Sequence, residues 1–195
     1  MTGRSGQPRP GRPRDPEVDS AILRAAREVF VERGPEAASI EAVARRAGVS
    51  RLTIYRRYRD KQELLVDMLT WSRGEVPEID SAHLDPEGLV ELVVRELSQP
   101  QVPELLVRLA GAGVDHPQLV RAFDESFVQP RRAAVTAALE RMQQRGRIEA
   151  SADPHAVLDV IAGAVLYHLL MRPDERSPEQ LHARVRAAVG HAGVR

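Results

Sequence analysis

The sequence predicts an all-α fold, with a small N-terminal domain of short helices and a larger helical domain behind it. Apolar residues recur every three or four positions through most of the 195 residues, which is the period of amphipathic helices. Helix-capping residues, glycines and prolines divide this pattern into segments of helical length. No alternation of apolar and polar residues is long enough to indicate a β-strand.

The first helix is predicted between an Asp-Pro pair and a Gly-Pro pair. Asp15 can cap this helix, and Pro16 suits its first position because no N–H is needed there. Gly34 suits the left-handed position at a helix end, and Pro35 follows it. Residues 1–14, rich in Gly, Pro and Arg, are predicted to form a disordered basic arm.

Three further short helices are predicted after the first. Ser39 and Ser50 are suited to cap helices, and Gly48 between them ends the second helix in a tight turn. Asp60 and Glu63 have the spacing of a capping box, which predicts the start of a fourth helix. Two short helices joined by a turn that contains glycine have the geometry of a helix-turn-helix motif.

The rest of the chain is predicted to be helical after a linker. Residues 74–86 contain Gly and Pro and are predicted to form that linker. Later apolar stripes begin after Pro103, Pro117 and Pro130, and we expect Pro130 to kink or separate two helices. The predicted divisions are the arm at 1–14, the helix-turn-helix domain at 15–60 and the larger helical domain at 61–195.

Composition excludes several classes of protein. The chain has no cysteine, which rules out disulfide scaffolds, thiolate zinc sites and cysteine nucleophiles. The N-terminal residues lack the apolar segment of a secretory signal. The longest apolar run, residues 157–171, is interrupted by Asp159, Gly163 and His168. We therefore expect a cytoplasmic protein without a membrane segment.

The charges balance over the whole chain but not along it. Residues 1–70 hold fourteen basic and ten acidic residues, although the whole chain holds 28 of each. Between Ser39 and Lys61, seven residues are basic and two are acidic. The turn alone fits a plain helical hairpin as well as a DNA-binding motif. The basic cluster and the basic arm favour DNA binding.

The second helix of the motif carries side chains suited to DNA. Arg51 and Thr53 lie near its N-terminal end, which a recognition helix presents to the base edges. Arginine can pair bidentately with guanine, and the threonine methyl group suits thymine. Tyr55, Arg57 and Lys61 are suited to phosphate oxygens, and a buried aromatic is the alternative role for Tyr55.

Residues 21–65 resemble the TetR/AcrR family of bacterial transcriptional regulators. The resemblance rests on AILRAAREVFVERG followed by SIEAVARRAGVSRLTIYRRYRDKQELL, because the order of the AxxAGVS, TxYxxY and capped KxxL elements is typical of the family. The preceding GRPRD is similar to the arm of many members. The C-terminal part resembles a ligand domain of the family more loosely, through PRRAAVTAALERMQQRG, an Asp-Pro pair and GAVLYHLL.

The resemblance implies three DNA-binding helices, a fourth connecting helix, and a homodimer formed through the last two long helices. It further implies a palindromic operator in double-stranded DNA, usually repression, and a small molecule that weakens DNA binding by moving the fourth helix. Leu52 cannot form a hydrogen bond, so it can contact only a thymine methyl group. By position in the family pattern, the residues expected to contact DNA are Ser39, Arg51, Leu52, Thr53, Tyr55, Arg57 and Lys61.

The larger helical domain is expected to pair with a second subunit and to hold a small, largely apolar effector. Residues 155–172 are apolar over a wide arc, so one side can face the core and another a partner subunit. A monomeric core is the alternative. The candidate pocket residues, each of which could instead belong to ordinary core, are Met68, Trp71, Leu89, Val93, Leu106, Phe123, Phe127 and Leu139.

No catalytic or metal-binding pattern is found in the sequence. The six histidines lack the close spacing of a two-histidine metal site, and no GxSxG elbow, phosphate-binding loop or dinucleotide-binding turn occurs. We therefore expect no enzymatic activity, no metal and no cofactor apart from an unidentified effector. One alternative is a small helical enzyme. The other is a helical interaction protein without DNA binding, and this second alternative is disfavoured by the set Arg51, Thr53, Tyr55 and Lys61.

Overall fold

All the regular structure described by the computed structural model is helical, which confirms the predicted fold class. The structure describes residues 15–71, 84–99, 101–175 and 177–194. The helices are α1 (Pro16–Ala37), α2 (Ile40–Ala47), α3 (Arg51–Tyr55), α4 (Lys61–Trp71), α5 (Pro86–Leu97), α6 (Val102–Ala112), α7 (Pro117–Phe123), a π-helical segment (Asp124–Val128), α8 (Gln129–Gln144), α9 (Pro154–Met171) and α10 (Pro178–His191).

The predicted arm and most of the predicted linker lie outside the described residues. At the end of the linker, Asp85 caps α5 and accepts a hydrogen bond from the N–H of Gly88 at 2.7 Å. Pro86 is the first residue of α5, where its missing N–H has no consequence. The linker prediction, residues 74–86, is therefore one residue too long at this end.

The predicted caps are present at the starts of the N-terminal helices. The side chains of Asp15, Ser39 and Ser50 each accept a hydrogen bond from a backbone N–H in the first turn that follows. Gly48 has φ 68° and ψ 27°, the left-handed conformation that a side chain disfavours. These local interactions set where α2 ends and where α3 begins.

α1 reaches Ala37 instead of ending at Gly34. Gly34 interrupts the regular helix with φ 82° and ψ 175°, and the helix resumes after it. Arg108 of α6 donates hydrogen bonds to the carbonyl oxygens of Val31 and Glu32, at 3.0 and 2.8 Å. Carbonyls in the turn before a helix break lack their usual partners. Arg108 supplies those partners and thereby ties α6 to α1.

The chain passes from α7 to α8 through the π-helical segment and not through a loop. The N–H of Gln129 donates to the carbonyl oxygen of Asp124, five residues earlier. Pro130 follows within the first turn of α8 and has no N–H to donate to the preceding turn. The break expected at Pro130 is therefore a change of helix type, and such π segments occur frequently at functional sites.

Two hydrophobic cores hold the helices together. The first joins α1–α4 to α6 and α7 through buried residues that include Leu105, Leu109 and Leu119. The second joins α5, α8, α9 and α10, and Leu106 packs against both cores. Three helices from the larger predicted domain, α4, α6 and α7, thus share a core with the helix-turn-helix.

α9 packs on one side and leaves large apolar side chains exposed on another. It contacts α8 and α10, and Ile161 and Leu169 are buried there. In the part of the chain that the structure describes, it is the one helix with the length and mean hydropathy (1.5) to cross a membrane. Core helices of other proteins meet the same criteria. The exposed apolar residues are Val160, Leu166, Tyr167, Leu170 and Met171.

Candidate DNA interface and apolar cavity

α3 is a five-residue helix, and two buried side chains pack it against the rest of the protein. Ile54 is fully buried, and Tyr58, just beyond the helix, is 7% exposed. The Tyr58 hydroxyl donates a hydrogen bond to Oδ2 of Asp67 at 2.9 Å. Burial, followed by the nearby Asp67 carboxylate, raises the pKa of the Tyr58 hydroxyl. Tyr58 therefore keeps its proton and fixes the end of α3 to α4.

The remaining side chains of α3 include the predicted base-reading residues. Arg51 is exposed, as are Leu52 and Tyr55, at 59% and 55%. Thr53 is half-buried, with Oγ1 2.8 Å from Oγ of Ser50. The exposure of Tyr55 excludes its alternative role as a core aromatic. An exposed guanidinium and phenol beside an aliphatic group have the chemistry that base edges and phosphates require.

Ser39 lies exposed at the start of α2. Its Oγ accepts a hydrogen bond from the N–H of Ala42 at 3.1 Å. A hydroxyl that accepts one hydrogen bond still has a proton to donate. The cap therefore leaves Ser39 chemically able to donate to a phosphate oxygen.

Arg57 and Lys61 lie in contacts within the protein. Arg57 forms an ion pair with Asp19 of α1 and donates from Nη1 to the carbonyl oxygen of Thr53 at 3.0 Å. Nζ of Lys61 lies 3.3 Å from the carbonyl oxygen of Pro35 and 3.5 Å from the carboxylate of Glu36. The predicted phosphate contacts of Arg57 and Lys61 would compete with these intramolecular contacts.

The structure also assigns the other arginines of the basic cluster. Arg46 forms ion pairs with Glu28 and Glu32 of α1, at 2.9 and 2.7 Å. Its role is therefore to hold α2 against α1. Arg56 and Arg59, which follow α3, are exposed. Neither was predicted to contact DNA. Their position in the basic cluster was the sequence feature that could have indicated a contact with DNA.

Comparisons with known proteins agree with this geometry. Residues 22–68 match the family model for bacterial regulatory proteins of the tetR family, and residues 72–188 match a tetracyclin repressor-like C-terminal domain. The chain belongs to the TetR family of bacterial transcriptional regulators. It is a helix-turn-helix regulator, and α1–α3 are its DNA-binding domain.

Relatives of this TetR-family chain cover most of its length. It is 31% identical to the uncharacterized HTH-type transcriptional regulator YdeS of Bacillus subtilis, over 87% of this chain and 86% of that protein. It is 29% identical to the HTH-type transcriptional regulator AqdR of Rhodococcus erythropolis, over 84% of this chain and 77% of that protein. A TetR-family regulator from Mesorhizobium loti has the same fold, with a TM-score of 0.72 and 22% identity. The match covers 93% of this chain and 97% of that one.

A cavity of about 500 Å³ lies in the C-terminal domain of this TetR-family protein, between α5, α6, α7, α8 and α9. Val93, Leu106, Phe123 and Phe127, four of the predicted pocket residues, line it. The volume is within the usual range of sites for small molecules. As contacts to an effector, these four residues remain a prediction.

The other four predicted pocket residues lie elsewhere. Met68, Leu89 and Leu139 are buried in the two cores, and Trp71 packs partly buried against the first core. Their positions correct the expectation that they line the cavity with the other four. The helical period marks which side of a helix is buried, and a packed core satisfies it as well as a cavity wall.

The cavity wall carries a stack of side chains along one continuous helical stretch. The rings of Phe123 and Phe127 are stacked with centroids 4.8 Å apart. The guanidinium of Arg131 lies over the Phe127 ring, 3.5 Å from its centroid. Glu96 of α5 faces this stack, with Oε2 3.8 Å from Nε of Arg131. Neither charged residue was predicted to line the pocket, because apolar periodicity indicates only apolar lining residues.

Glu96 provides a pH-dependent prediction. Burial raises its pKa above the usual 4.5, and Arg131 and Arg95 offset this only in part. A raised pKa means that the folded protein holds the Glu96 proton more tightly than the unfolded protein does. Ionisation of Glu96 therefore lowers the free energy of unfolding as pH rises from 4.5 to the pKa of Glu96 in the folded protein. We expect Glu96→Gln to gain stability relative to the parent protein between about pH 4 and about pH 7, measured by urea denaturation.

The control for this measurement is Glu140→Gln. Glu140 lies exposed on α8, outside the cavity wall. The difference between this variant and the parent protein should stay constant over the same pH range. A constant difference for Glu96→Gln as well would contradict the proposed burial effect.

Proposed function

We propose that this TetR-family protein is a repressor that binds a palindromic operator as a homodimer and is released by a small, largely apolar ligand. The observation that carries the proposal is the connection between two features. The exposed side chains of α3 form a DNA-reading surface, and α6 and α7 line the cavity while sharing a core with α1–α4. The only cofactor in the proposal is the effector, and the protein acts in the cytoplasm without catalytic activity.

On the DNA side, α3 enters the major groove with its N-terminal end toward the bases. Arg51 pairs with a guanine, Leu52 contacts a thymine methyl group, and Thr53 completes the base contacts. Ser39 and Tyr55 donate hydrogen bonds to phosphates. Arg57 and Lys61 contribute positive charge close to the backbone while they keep α3 and α4 in place.

The homodimer forms through α9 and α10. An apolar strip on α9 is exposed in one copy, and burial against a second copy removes it from water; its residues are Val160, Leu166, Tyr167, Leu170 and Met171. Exposed Gly163 and Ala164 on the same helix allow a close approach. Two copies related by a twofold axis present two α3 helices, which matches a palindromic operator.

Release by a ligand uses the contacts between the cavity helices and the DNA-binding domain. Arg108 of α6 holds the end of α1, and His116 before α7 lies 2.7 Å from the carboxylate of Glu36. Glu36 also contacts Lys61, the first residue of α4, and His116 and Lys61 lower its pKa. A ligand that shifts α6 or α7 therefore shifts the start of α4 and, through it, α3.

The test is fluorescence anisotropy with the DNA beside the gene, random DNA as competitor and varied salt. We expect binding that survives the competitor and weakens as salt rises. Arg51→Ala should weaken operator binding by about ten-fold or more and relax the base preference, because it removes a bidentate base contact. Tyr55→Phe should lower the affinity for all sequences by a smaller factor.

The matched control is Arg121→Ala, which removes an exposed arginine from α7. It should leave both affinity and base preference unchanged. If Arg51→Ala behaves like this control, the assignment of base reading to Arg51 is wrong. If a set of fragments selected from the whole genome yields no preferred site, the operator-binding function itself is wrong.

A further inference from the structure

The cavity is apolar except for three charged side chains in its wall. These are Glu96, Arg131 and Arg132. The side chains of Glu96 and Arg131 are 17% and 18% exposed, so both are largely removed from bulk water. Polar groups placed in an otherwise apolar cavity determine which ligands it accepts, because each must be satisfied when water leaves.

Glu96 is the group whose hydrogen bonding is incomplete. Its nearest cationic atom, Nε of Arg131, is 3.8 Å from Oε2, which is too far for a hydrogen bond. Among the described residues, none donates a hydrogen bond to the Glu96 carboxylate. Burial acts on the same group and raises its pKa. A donor on a ligand would supply what the protein does not.

A ligand that carries a full charge is opposed by one member of the Glu96–Arg131 pair. Arg131 is stacked on Phe127 and donates from Nη1 to the Phe127 carbonyl oxygen at 3.0 Å. Arg132 forms an ion pair with Asp159 at 2.6 Å. Glu96 and Arg131 thus form a pair with no net charge. An anionic ligand would meet the Glu96 carboxylate, and a cationic ligand would meet the Arg131 guanidinium.

A hydroxyl group can form hydrogen bonds with both members of this pair at once. Its O–H can donate to Glu96, and its oxygen can accept from a guanidinium N–H. We propose that the cavity binds an uncharged, largely apolar compound with a hydroxyl group placed between Glu96 and Arg131, and that an alkyl-substituted phenol represents this class. The stacked Phe123 and Phe127 rings offer an aromatic surface to the phenol ring.

This inference rests on the proposed function only in taking the cavity as the effector site. The binding test therefore uses the full-length protein without DNA. Isothermal titration calorimetry would compare para-hexylphenol, para-hexylbenzoate and para-hexylbenzylammonium, which share the same apolar part and differ in the charge of the polar group. We expect the phenol to bind at least about ten-fold more tightly than either charged compound.

Variants separate the hydroxyl contact from burial of the alkyl chain. Glu96→Leu should weaken phenol binding by about ten-fold, since it removes the acceptor, and Glu96→Gln should lose less because its amide oxygen still accepts. Glu140→Leu, a change of the same kind at an exposed position of α8, should leave binding unchanged. Circular dichroism would establish that each variant is folded.

Three outcomes would overturn the proposed ligand class, and a fourth would overturn ligand release alone. Tightest binding of the benzoate would make an arginine the anchor, and tightest binding of the benzylammonium would make Glu96 the partner of a cation. Equal phenol binding by the parent protein and Glu96→Leu would exclude the hydroxyl contact. A phenol that binds through Glu96 but leaves an operator complex intact would contradict ligand release and not the ligand class.

Discussion

Val160→Glu should convert the proposed homodimer to a monomer and reduce its affinity for a palindromic operator by about a hundred-fold. Val160 is 54% exposed in the described chain and lies in the apolar strip of α9. In the proposed dimer, the substitution would bury two unpaired carboxylates close to the twofold axis, which costs several kcal/mol. A monomer presents one α3 and loses the contribution of the second half-site.

Val114→Glu is the matched control for this experiment. Among the described residues, Val114 is the most exposed large apolar side chain, at 91%, and it lies between α6 and α7 outside the strip. This variant should remain dimeric and bind the operator normally. Analytical ultracentrifugation at micromolar concentration gives the size, and anisotropy gives the affinity. A parent protein that is already monomeric under these conditions would contradict dimerisation through α9.

Ile54→Ala should destabilise the protein by about 2–5 kcal/mol, the range measured for large-to-small substitutions in packed cores. Ile54 is fully buried and is the only buried residue of α3. Since α3 has five residues, it is too short to be stable without its tertiary anchor. We expect urea denaturation to show the loss of stability, and operator binding to fall because α3 no longer holds Arg51 in one orientation.

Leu52→Ala removes a similar volume from the same helix. Leu52 is 59% exposed, so this variant should change the stability by no more than about 0.5 kcal/mol. Its effect on DNA binding should be confined to operators with a thymine at the contacted position. Equal destabilisation by the two substitutions would mean that α3 is not anchored through Ile54.

The boundaries of the N-terminal helices were predictable from local sequence. Ser39 and Ser50 cap helices because their side chains reach N–H groups three residues away, and Gly48 turns the chain because it lacks a Cβ. Neither interaction requires a distant part of the molecule. The end of α1 was less predictable, since Arg108 of α6 binds the carbonyl oxygens of Val31 and Glu32 just before Gly34.

The cavity was only partly predictable for a related reason. The pattern of apolar residues correctly marked Phe123 and Phe127 as inward-facing, and it marked Leu89 and Leu139 in the same way. Whether an inward-facing side chain meets another side chain or an open space depends on the packing of distant helices. Glu96 and Arg131 could not be assigned to the wall, because charged residues in helical patterns usually face solvent.

The sequence by itself determined the fold class, the helix-turn-helix and the family, because these depend on periodicity, caps and the order of short motifs. Only the tertiary structure decided the roles of the charged residues. Arg51 is exposed, whereas Arg46 and Arg57 pair with acidic residues of α1 and Lys61 lies beside Pro35 and Glu36. The physical reason is that an ion pair depends on the separation of two charges in space, and the folded arrangement of the helices sets that separation.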